Sequence, residues 1–248
     1  MNKILEINNL GKKYHTLTGE IFAIENISLD VCKGEILGIV GSSGCGKSTL
    51  LNILAGLEKK TSGKISNGNI NISYMLQSDA LLPWLTVLDN ACLGLELQNN
   101  KTKENINYAK RLLINFGLKD FLNAYPNSLS GGMKQRVALV RTLATKPDII
   151  LLDEPLSALD YVTRLTISDD IYELLKTTNV TTILITHDIA ECVSLCDRVI
   201  VLTKRPAKVK SVYTVELENK TIPSKNRRDK NFIYYYELIW GDLDKDIS

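Results

Sequence analysis

Short apolar runs recur along the chain, and most are followed by stretches with helical spacing of apolar residues. The runs that predict buried strands are 36–40, 149–152, 183–185 and 199–202. Helical spacing appears in 50–54, 133–144 and 163–175. Buried strands that alternate with helices favour an α/β fold with a parallel, doubly wound sheet.

The remaining pattern predicts smaller additions to this core. Alternation over 4–10 predicts an opening strand, 11–14 a turn and 22–31 a second strand region. Asn67-Gly68 between two short strand-like runs predicts a β-hairpin, because Asn-Gly supplies the positive φ angles of a type I′ turn. A strand over 74–77 ends at Gln77, and the helical, more polar stretch from 86 to about 122 predicts an insertion. An edge strand is expected over 208–215 and a closing helix over 232–243.

Composition limits the class of protein. The 248 residues suit one or two domains, and the formal charge of +2 is too balanced to indicate nucleic acid or an acidic membrane as a partner. No signal peptide is predicted at the start, and every apolar run is too short to span a bilayer. We therefore expect a soluble chain with reduced cysteines, whose membrane role, if any, comes through a partner. Cys192 and Cys196, one helical turn apart, are expected to pack in the core.

One nine-residue stretch carries the strongest chemical signal. It consists of Gly41, Ser42, Ser43, Gly44, Cys45, Gly46, Lys47, Ser48 and Thr49, which fits the P-loop pattern. A predicted strand precedes it and a predicted helix follows, so its backbone N–H groups can surround a phosphate. Lys47 would hold the β- and γ-phosphates, and Ser48 would ligate Mg²⁺. We expect Cys45, inside this cradle, to be a reactive thiol that nucleotide shields.

Further polar residues follow the other predicted strands. Asp153 and Glu154 come directly after the buried run 149–152, and His187 lies two residues after the run 183–185. Lys47 follows the run 36–40, with the first part of the P-loop between them. Ligands of parallel sheets bind beyond the carboxyl ends of the strands, so these residues are expected to meet there. Asp153 offers oxygen to Mg²⁺, and Glu154 can accept a proton from an attacking water. His187 would donate to the γ-phosphate or the water, or simply cap its strand.

Together these motifs resemble the nucleotide-binding ATPase subunit of ABC transporters, over roughly residues 1–205. Ser130, Gly131 and Gly132 resemble the ABC signature, and residues 152–155 resemble the Walker B segment. Residues 157–160, which end at Asp160, resemble the D-loop, and Gln77 resembles the glutamine of the Q-loop. His187 resembles the switch histidine, and Tyr14 resembles the aromatic residue that stacks on adenine. The resemblance implies a P-loop NTPase (RecA-like) core with a parallel sheet, a small antiparallel β-subdomain and an inserted α-helical subdomain. It implies ATP and Mg²⁺ as cofactors, with Gln77 both catalytic and a metal ligand. Ser130 is also expected to be the N-cap of the helix that follows it.

The sequence differs from the family pattern at two places, and the resemblance also suggests domain boundaries. Met133 stands where many relatives have Gln, which puts a ribose contact in doubt. The short stretch 63–77 suggests a β-subdomain reduced to little more than the Asn67-Gly68 hairpin. The ATPase domain is expected to span 1–225, with a helical subdomain at about 78–145, and a helical tail 226–248. Tyrosines 234–236 are expected to dock onto the core, although stacking on RNA is the alternative.

Residues 77–90, 156–164 and 204–206 resemble the importer ATPases for nitrate, sulfonate and taurine and for thiamine-precursor pyrimidines. In that group, Leu81, Leu82, Pro83 and Trp84 would form an apolar site for a helix of the membrane subunit; an internal core turn is the alternative. The implied function is ATP hydrolysis that drives uptake of a small solute, at the cytoplasmic face of the membrane. The implied partners are an integral membrane permease, a second copy in a homodimer and, indirectly, a solute-binding protein, with no nucleic acid. A soluble ABC ATPase acting on nucleic acid or the ribosome is the alternative function, but the chain has one cassette, no heptads and no clustered cysteines.

Overall fold

A computed structural model describes residues 2–17, 19–157 and 159–244 of the chain. Its strands are β1 (Lys3–Thr16), β2 (Gly19–Cys32), β3 (Ile36–Val40), β4 (Ser62–Ser66), β5 (Ile72–Met75), β6 (Ile149–Asp153), β7 (Thr181–Ile185), β8 (Arg198–Leu202) and β9 (Val209–Thr214). Its α-helices are α1 (Lys47–Leu54), α2 (Val87–Leu97), α3 (Lys103–Asn115), α4 (Gly131–Leu143), α5 (Tyr161–Thr178), α6 (Ile189–Leu195), α7 (Pro223–Asn226) and α8 (Lys230–Asp244). Single 3₁₀ turns lie at Lys119–Phe121 and Pro126–Ser128.

A six-stranded sheet forms the centre of the molecule, in the order β5-β6-β7-β3-β8-β9. The first five of these strands run parallel, and β9 pairs antiparallel with β8 at the edge. Every residue of β3, β6 and β7 is buried, because helices or the second sheet cover both faces. The parallel sheet and the edge strand predicted from the sequence are confirmed.

The smaller, antiparallel sheet corrects three predictions. It has the order β2-β1-β4, and β1 continues through residues 11–14, where a turn was expected. The predicted Asn67-Gly68 hairpin is wrong: β4 pairs with β1, whereas β5 pairs with β6 of the large sheet. Ile72 lies opposite Ile149 in that pairing, so long-range packing overrides the local turn signal. The expectation of a β-subdomain reduced to this hairpin is therefore also wrong, since β1 and β2 each have 14 residues.

Helices surround the large sheet and account for the predicted insertion. The helices α2 and α3 and the two 3₁₀ turns separate β5 from α4, as the helical pattern indicated. The predicted closing helix is confirmed as α8, which packs on α6, β8 and β9. Cys192 and Cys196 are buried in the core, as expected. Within the described residues, no helix combines the length and the hydrophobicity needed to cross a membrane. The proposed domain boundary at 225 stays a prediction.

Candidate functional site

The P-loop connects β3 to α1, and two of its glycines adopt backbone angles that side chains disfavour. Gly44 has a φ of 71° and Gly46 a φ of 126°. A Cβ atom on Gly46 would also lie 2.8 Å from the carbonyl oxygen of Ala23. Inside the loop, the buried Lys47 ammonium donates to the carbonyl oxygens of Gly41 at 2.8 Å and Ser42 at 3.1 Å. The loop therefore encloses a fixed positive charge beneath an open cleft of about 300 Å³.

Asp153, at the end of β6, supplies the carboxylate of a possible metal site. The hydroxyl of Tyr74 donates to it at 3.0 Å, and the hydroxyl of Ser48 also donates to it. Burial raises the pKa of Asp153, and the nearby charge of Lys47 lowers it in part. The residues present fit Mg²⁺, because a buried carboxylate beside the Ser48 hydroxyl provides hard oxygen ligands.

Glu154 lies next to Asp153, and one of its carboxylate oxygens contacts two of the other predicted site residues. Its Oε2 accepts from Gln77 Nε2 at 3.3 Å and lies 3.2 Å from His187 Nδ1. The Glu154 carboxyl is about one-fifth exposed, whereas the side chain of His187 is 60% exposed. The strand ends β5, β6 and β7 thus bring three chemically active groups together at the mouth of the cleft.

The backbone of Glu154 adopts a strained conformation, and this conformation sets the position of its carboxylate. Its φ of 47° lies in the left-handed region, which costs a non-glycine residue roughly 1–2 kcal/mol. Its N–H still donates to Ile185 of β7 at 2.8 Å, and its carbonyl accepts from the backbone and hydroxyl of Ser157 at 3.2 and 3.0 Å. These bonds hold a conformation that the chain would otherwise avoid, as occurs often at functional sites.

Tyr14 lies beside the start of α1, although in strand β1 and not in a turn. Its hydroxyl donates to Glu58 at 2.6 Å and lies 3.4 Å from the Thr49 hydroxyl. Burial and the Glu58 carboxylate raise the pKa of this hydroxyl. The Lys12 ammonium lies 4.6 Å from the centre of the ring. These contacts fix the ring next to the P-loop, where an adenine base could stack on it.

Cys45 differs from its predicted behaviour. Its thiol is 1% exposed and packs in the core beneath the P-loop, with Leu50 and Leu202 in the same cluster. Burial raises its pKa, and this effect exceeds the opposing one of Lys47. The expected reactive thiol is therefore wrong, although the backbone of Cys45 remains part of the loop.

The signature residues form a second cluster with the D-loop. Ser130 Oγ accepts from the N–H of Met133 at 3.3 Å, so the predicted N-cap of α4 is confirmed. A Cβ atom on the buried Gly132 would lie 3.1 Å from Thr163 of α5, which shows how closely the two helices approach. Asp160 caps α5 by accepting from Thr163 at 3.1 Å. Ala158 of the D-loop lies outside the described residues.

The P-loop cleft is not lined by any of the four signature and D-loop residues Ser130, Gly131, Gly132 and Asp160. The structure therefore separates the predicted site residues into two groups. Ser130, Gly131 and Asp160 are exposed at the surface. The cleft is lined by Ser43, Gly44, Gly46, Lys47, Ser48, Thr49, Gln77, Glu154 and Arg205.

Tyr74 and Arg205 also belong to the site, although no motif in the sequence predicted a role for them. Tyr74 donates to Asp153, and Arg205 donates to the Gly44 carbonyl oxygen at 3.0 Å. The position of Tyr74 three residues before Gln77, in a strand that reaches the same sheet edge, was a usable signal. For Arg205 the only signal was the similarity of 204–206 to importer ATPases.

Comparison with known proteins gives the family. A family model described as "ABC transporter" matches residues 24–157, more than half of the chain, from β2 through the P-loop and signature to Ser157. This chain belongs to the ABC transporter family.

Individual similar proteins support this family assignment. The chain is 37% identical over 247 residues to the nitrate import ATP-binding protein NrtD of a Synechocystis strain, covering 95% of this chain and 93% of the relative. It is 38% identical over 258 residues to the taurine import ATP-binding protein TauB of Roseobacter denitrificans, covering 98% and 96%. Among solved structures, the dimeric ATP-binding cassette MJ0796 in a post-hydrolysis state with ADP and Pi is similar with a TM-score of 0.73 and 32% identity, covering 86% of this chain and 99% of that one.

These comparisons confirm the predicted family and fold: an importer-type ABC ATP-binding subunit with a P-loop core. They also support the predicted ATPase activity, because the similar cassette holds the products of ATP hydrolysis. The named relatives are import proteins, so they favour the importer over the nucleic-acid alternative.

Proposed function

We propose that this ABC protein binds and hydrolyses ATP to drive uptake of a small solute through a separate membrane permease. The observation that carries the proposal is the meeting of the P-loop, Asp153, Glu154, His187 and Gln77 at one edge of the sheet. A chance turn would not bring a phosphate cradle, a buried carboxylate and a second, reachable carboxylate to one edge of the sheet.

Each group in the cleft then has a chemical task. Lys47 and the loop N–H groups bind the β- and γ-phosphates. Ser48, Asp153 and Gln77 would hold Mg²⁺, which neutralises phosphate charge when it is bound. Glu154 accepts a proton from the attacking water, while His187 orients Glu154 or donates to the γ-phosphate. Tyr14 stacks on the adenine.

The signature cluster supports a homodimer as the working state. The first turn of α4 has no acidic residue, so its positive N-terminal end at Ser130 and Gly131 is not compensated within the helix. Two copies packed head to tail would place this end, and Asp160, against the ATP of the partner copy. The similar cassette MJ0796 is dimeric in its solved structure, which favours a dimer for this chain as well.

The segment after Gln77 has the properties of a docking site for the permease. Trp84 is 69% exposed and Pro83 is also exposed, so the alternative of an internal core turn is disfavoured. The buried Asn90 holds this segment rigid: its amide nitrogen donates to the carbonyl oxygens of Leu82 and Leu85 at 3.1 Å, and its oxygen accepts from the N–H of Leu82 at 2.8 Å. A large aromatic side chain on a rigid loop is typical of an interface hot spot.

The same segment is connected to the signature helix. Arg141 of α4 donates to the carbonyl oxygens of Asp79 and Ala80, each at 2.7 Å. Burial lowers the pKa of Arg141, but the two carbonyl oxygens accept hydrogen bonds from its guanidinium. A movement of α4 during dimer closure would therefore move the loop that carries Trp84, which gives a route for coupling hydrolysis to transport.

The proposed location is the cytoplasmic face of the membrane, held there by the permease, with a solute-binding protein as an indirect partner and no nucleic acid. The relatives import nitrate and taurine, so we propose a small solute of the nitrate, sulfonate and taurine type or a pyrimidine. The domain assignment proposed with this function is an ATPase domain over 1–225, with its helical subdomain at about 78–145, and a C-terminal tail from 226.

Substitution of Trp84 tests the proposed docking site. Trp84→Ala should leave ATP binding unchanged but greatly reduce the amount of integral membrane protein that copurifies from detergent-solubilised membranes. The chain's other tryptophan, Trp240, is 52% exposed on α8, so Trp240→Ala is a matched control that should copurify at the wild-type yield. Copurification of Trp84→Ala at the wild-type yield would contradict the docking site.

A further inference from the structure

The loop between β8 and β9 is held firmly next to the P-loop. Within it, the Thr203 hydroxyl donates to the Pro206 carbonyl oxygen at 3.1 Å and accepts from the N–H of Lys208 at 3.0 Å. Its far side bonds to β2, because the N–H of Ala207 donates to Ala23 at 3.0 Å and the N–H of Glu25 donates to Ala207 at 2.9 Å. Backbone bonds to two sheets therefore fix the position of the loop.

This rigid loop directs Arg205 into the cleft. Arg205 Nη2 donates to the Gly44 carbonyl oxygen at 3.0 Å, at the outer side of the P-loop. The guanidinium lines the same cleft as Lys47, Ser48 and Thr49. In the part of the chain that the structure describes, no carboxylate forms an ion pair with Arg205, so its charge is not neutralised there by a side chain.

The charge of Arg205 also acts on two other groups beside the cleft. Burial raises the pKa of the Tyr14 hydroxyl, and the charge of Arg205 acts against that rise. Burial also raises the pKa of the Cys45 thiol, and Arg205 again opposes the rise. The guanidinium is thus within electrostatic range both of the ring proposed to hold adenine and of the loop proposed to hold the β- and γ-phosphates.

We propose that Arg205 is a nucleotide-binding residue that contacts the phosphate chain near the ribose. A nucleotide with its base on Tyr14 and its outer phosphates in the P-loop passes between these two points. Arginine has five N–H donors and no acceptor. Among the residues that the structure describes, Arg205 donates only to Gly44, so its remaining donors suit a phosphate oxygen. The inference rests on the ATP site proposed above and adds a residue outside the P-loop motif to it.

The affinities of Arg205 variants for nucleotides test the inference. Binding of ATP, ADP and GTP is measured by calorimetry with EDTA present, which removes Mg²⁺ and prevents hydrolysis. Because a charge-assisted hydrogen bond to phosphate is lost, Arg205→Ala should weaken the binding of all three by about tenfold. Arg205→Lys, which keeps the charge but not the planar fork, should lose less. The control Lys204→Ala removes an exposed neighbouring charge and should bind as the wild type does.

Other outcomes would overturn the inference. If Arg205→Ala and Arg205→Lys both bind ATP and ADP with wild-type affinity, Arg205 does not contact the nucleotide. If Lys204→Ala loses as much affinity as Arg205→Ala, the effect is one of general charge. If ATP binding falls but GTP binding does not, Arg205 contacts the base and not the phosphate. A wild-type chain that binds no ATP would instead refute the proposed nucleotide site itself, so the two failures are distinguishable.

Discussion

The P-loop cluster (Lys47, Asp153, Glu154, His187 and Gln77) and the signature cluster (Ser130, Gly131, Gly132 and Asp160) differ in how they are held. Side chains of the P-loop cluster bond to one another and to the backbone around a cleft. In the signature cluster the bonds only cap the helices, and most of its members face solvent. The first cluster has the groups needed to bind and act on a nucleotide, whereas the second presents an exposed helix end away from the P-loop cleft.

This difference indicates that the chain contains two halves of a site that do not meet within one copy. Gly132 packs against Thr163 of α5, so the signature helix and the helix that follows the D-loop are in close contact. This agrees with the proposal above that their exposed ends contact the nucleotide of a partner copy. The comparison predicts that changes in the P-loop cluster alter chemistry, while changes in the signature cluster alter dimer closure.

The largest expected effect comes from Glu154→Gln. The variant keeps the shape and a hydrogen-bonding side chain next to His187 and Gln77 but cannot accept a proton, so ATP hydrolysis should fall by about 10²- to 10⁴-fold. ATP binding should remain, and the ATP-bound dimer should persist on size-exclusion chromatography with Mg²⁺ and ATP. The assay is repeated on the complex with the permease, which could be needed to support the dimer. Hydrolysis at the wild-type rate in that complex would rule out Glu154 as the base.

The second-largest effect is expected from Ser130→Arg, which should prevent closure of the ATP-bound dimer without affecting ATP binding. Ser130→Arg places a bulky cation at the exposed end of α4, so it should abolish the dimer of Glu154→Gln while leaving ATP binding by each copy unchanged. Chromatography of the double variant measures closure, and calorimetry measures binding. Asn127→Arg, at an exposed position three residues earlier, is the control and should still form the dimer. A dimer of the Ser130→Arg double variant would show that the helix end does not face the partner's nucleotide.

A smaller effect is expected beneath the P-loop cluster, at Glu191. This carboxyl is fully buried, and it accepts from the hydroxyl of Thr186, the residue before His187, at 2.7 Å. Burial raises its pKa from 4.5 to about 7; Asp188 adds to the rise, while the Thr186 bond, Arg164 and Arg227 oppose it. Between these two pH values the folded chain keeps a proton that the unfolded chain has released, so stability falls as pH rises, by roughly 3 kcal/mol at most.

Unfolding by urea at pH 5 and pH 8 measures this contribution. Glu191→Gln carries no titrating group, so relative to the wild type it should gain stability on going from pH 5 to pH 8. Glu173→Gln, at an exposed position on α5, is the control and should keep the wild-type pH dependence. An unchanged difference between Glu191→Gln and the wild type at the two pH values would show that Glu191 does not titrate in this range.

Much of the fold could be predicted because its signals are local. The fully apolar runs that became β3, β6, β7 and β8 mark buried strands, and the polar residues that follow the runs of β6 and β7 mark the edge where ligands bind. The N-cap role of Ser130 followed from residue type and position alone, since a hydroxyl before a helix satisfies a free N–H. The P-loop likewise needs only its own glycines, lysine and flanking elements.

Tertiary structure decided what depends on distant partners. Asn67-Gly68 carries a hairpin signal, but β5 pairs with β6 because Ile72 and Met75 gain more by packing in the large sheet. Cys45 lies in a motif that suggests a reactive thiol, yet its side chain points into the core, where burial raises its pKa. The contact of Arg205 with Gly44 joins residues 161 positions apart, and no local pattern specifies such a contact. Sequence thus determined which residues carry the chemistry, and packing between distant elements determined their exposure, their pKa values and which of them share one cleft.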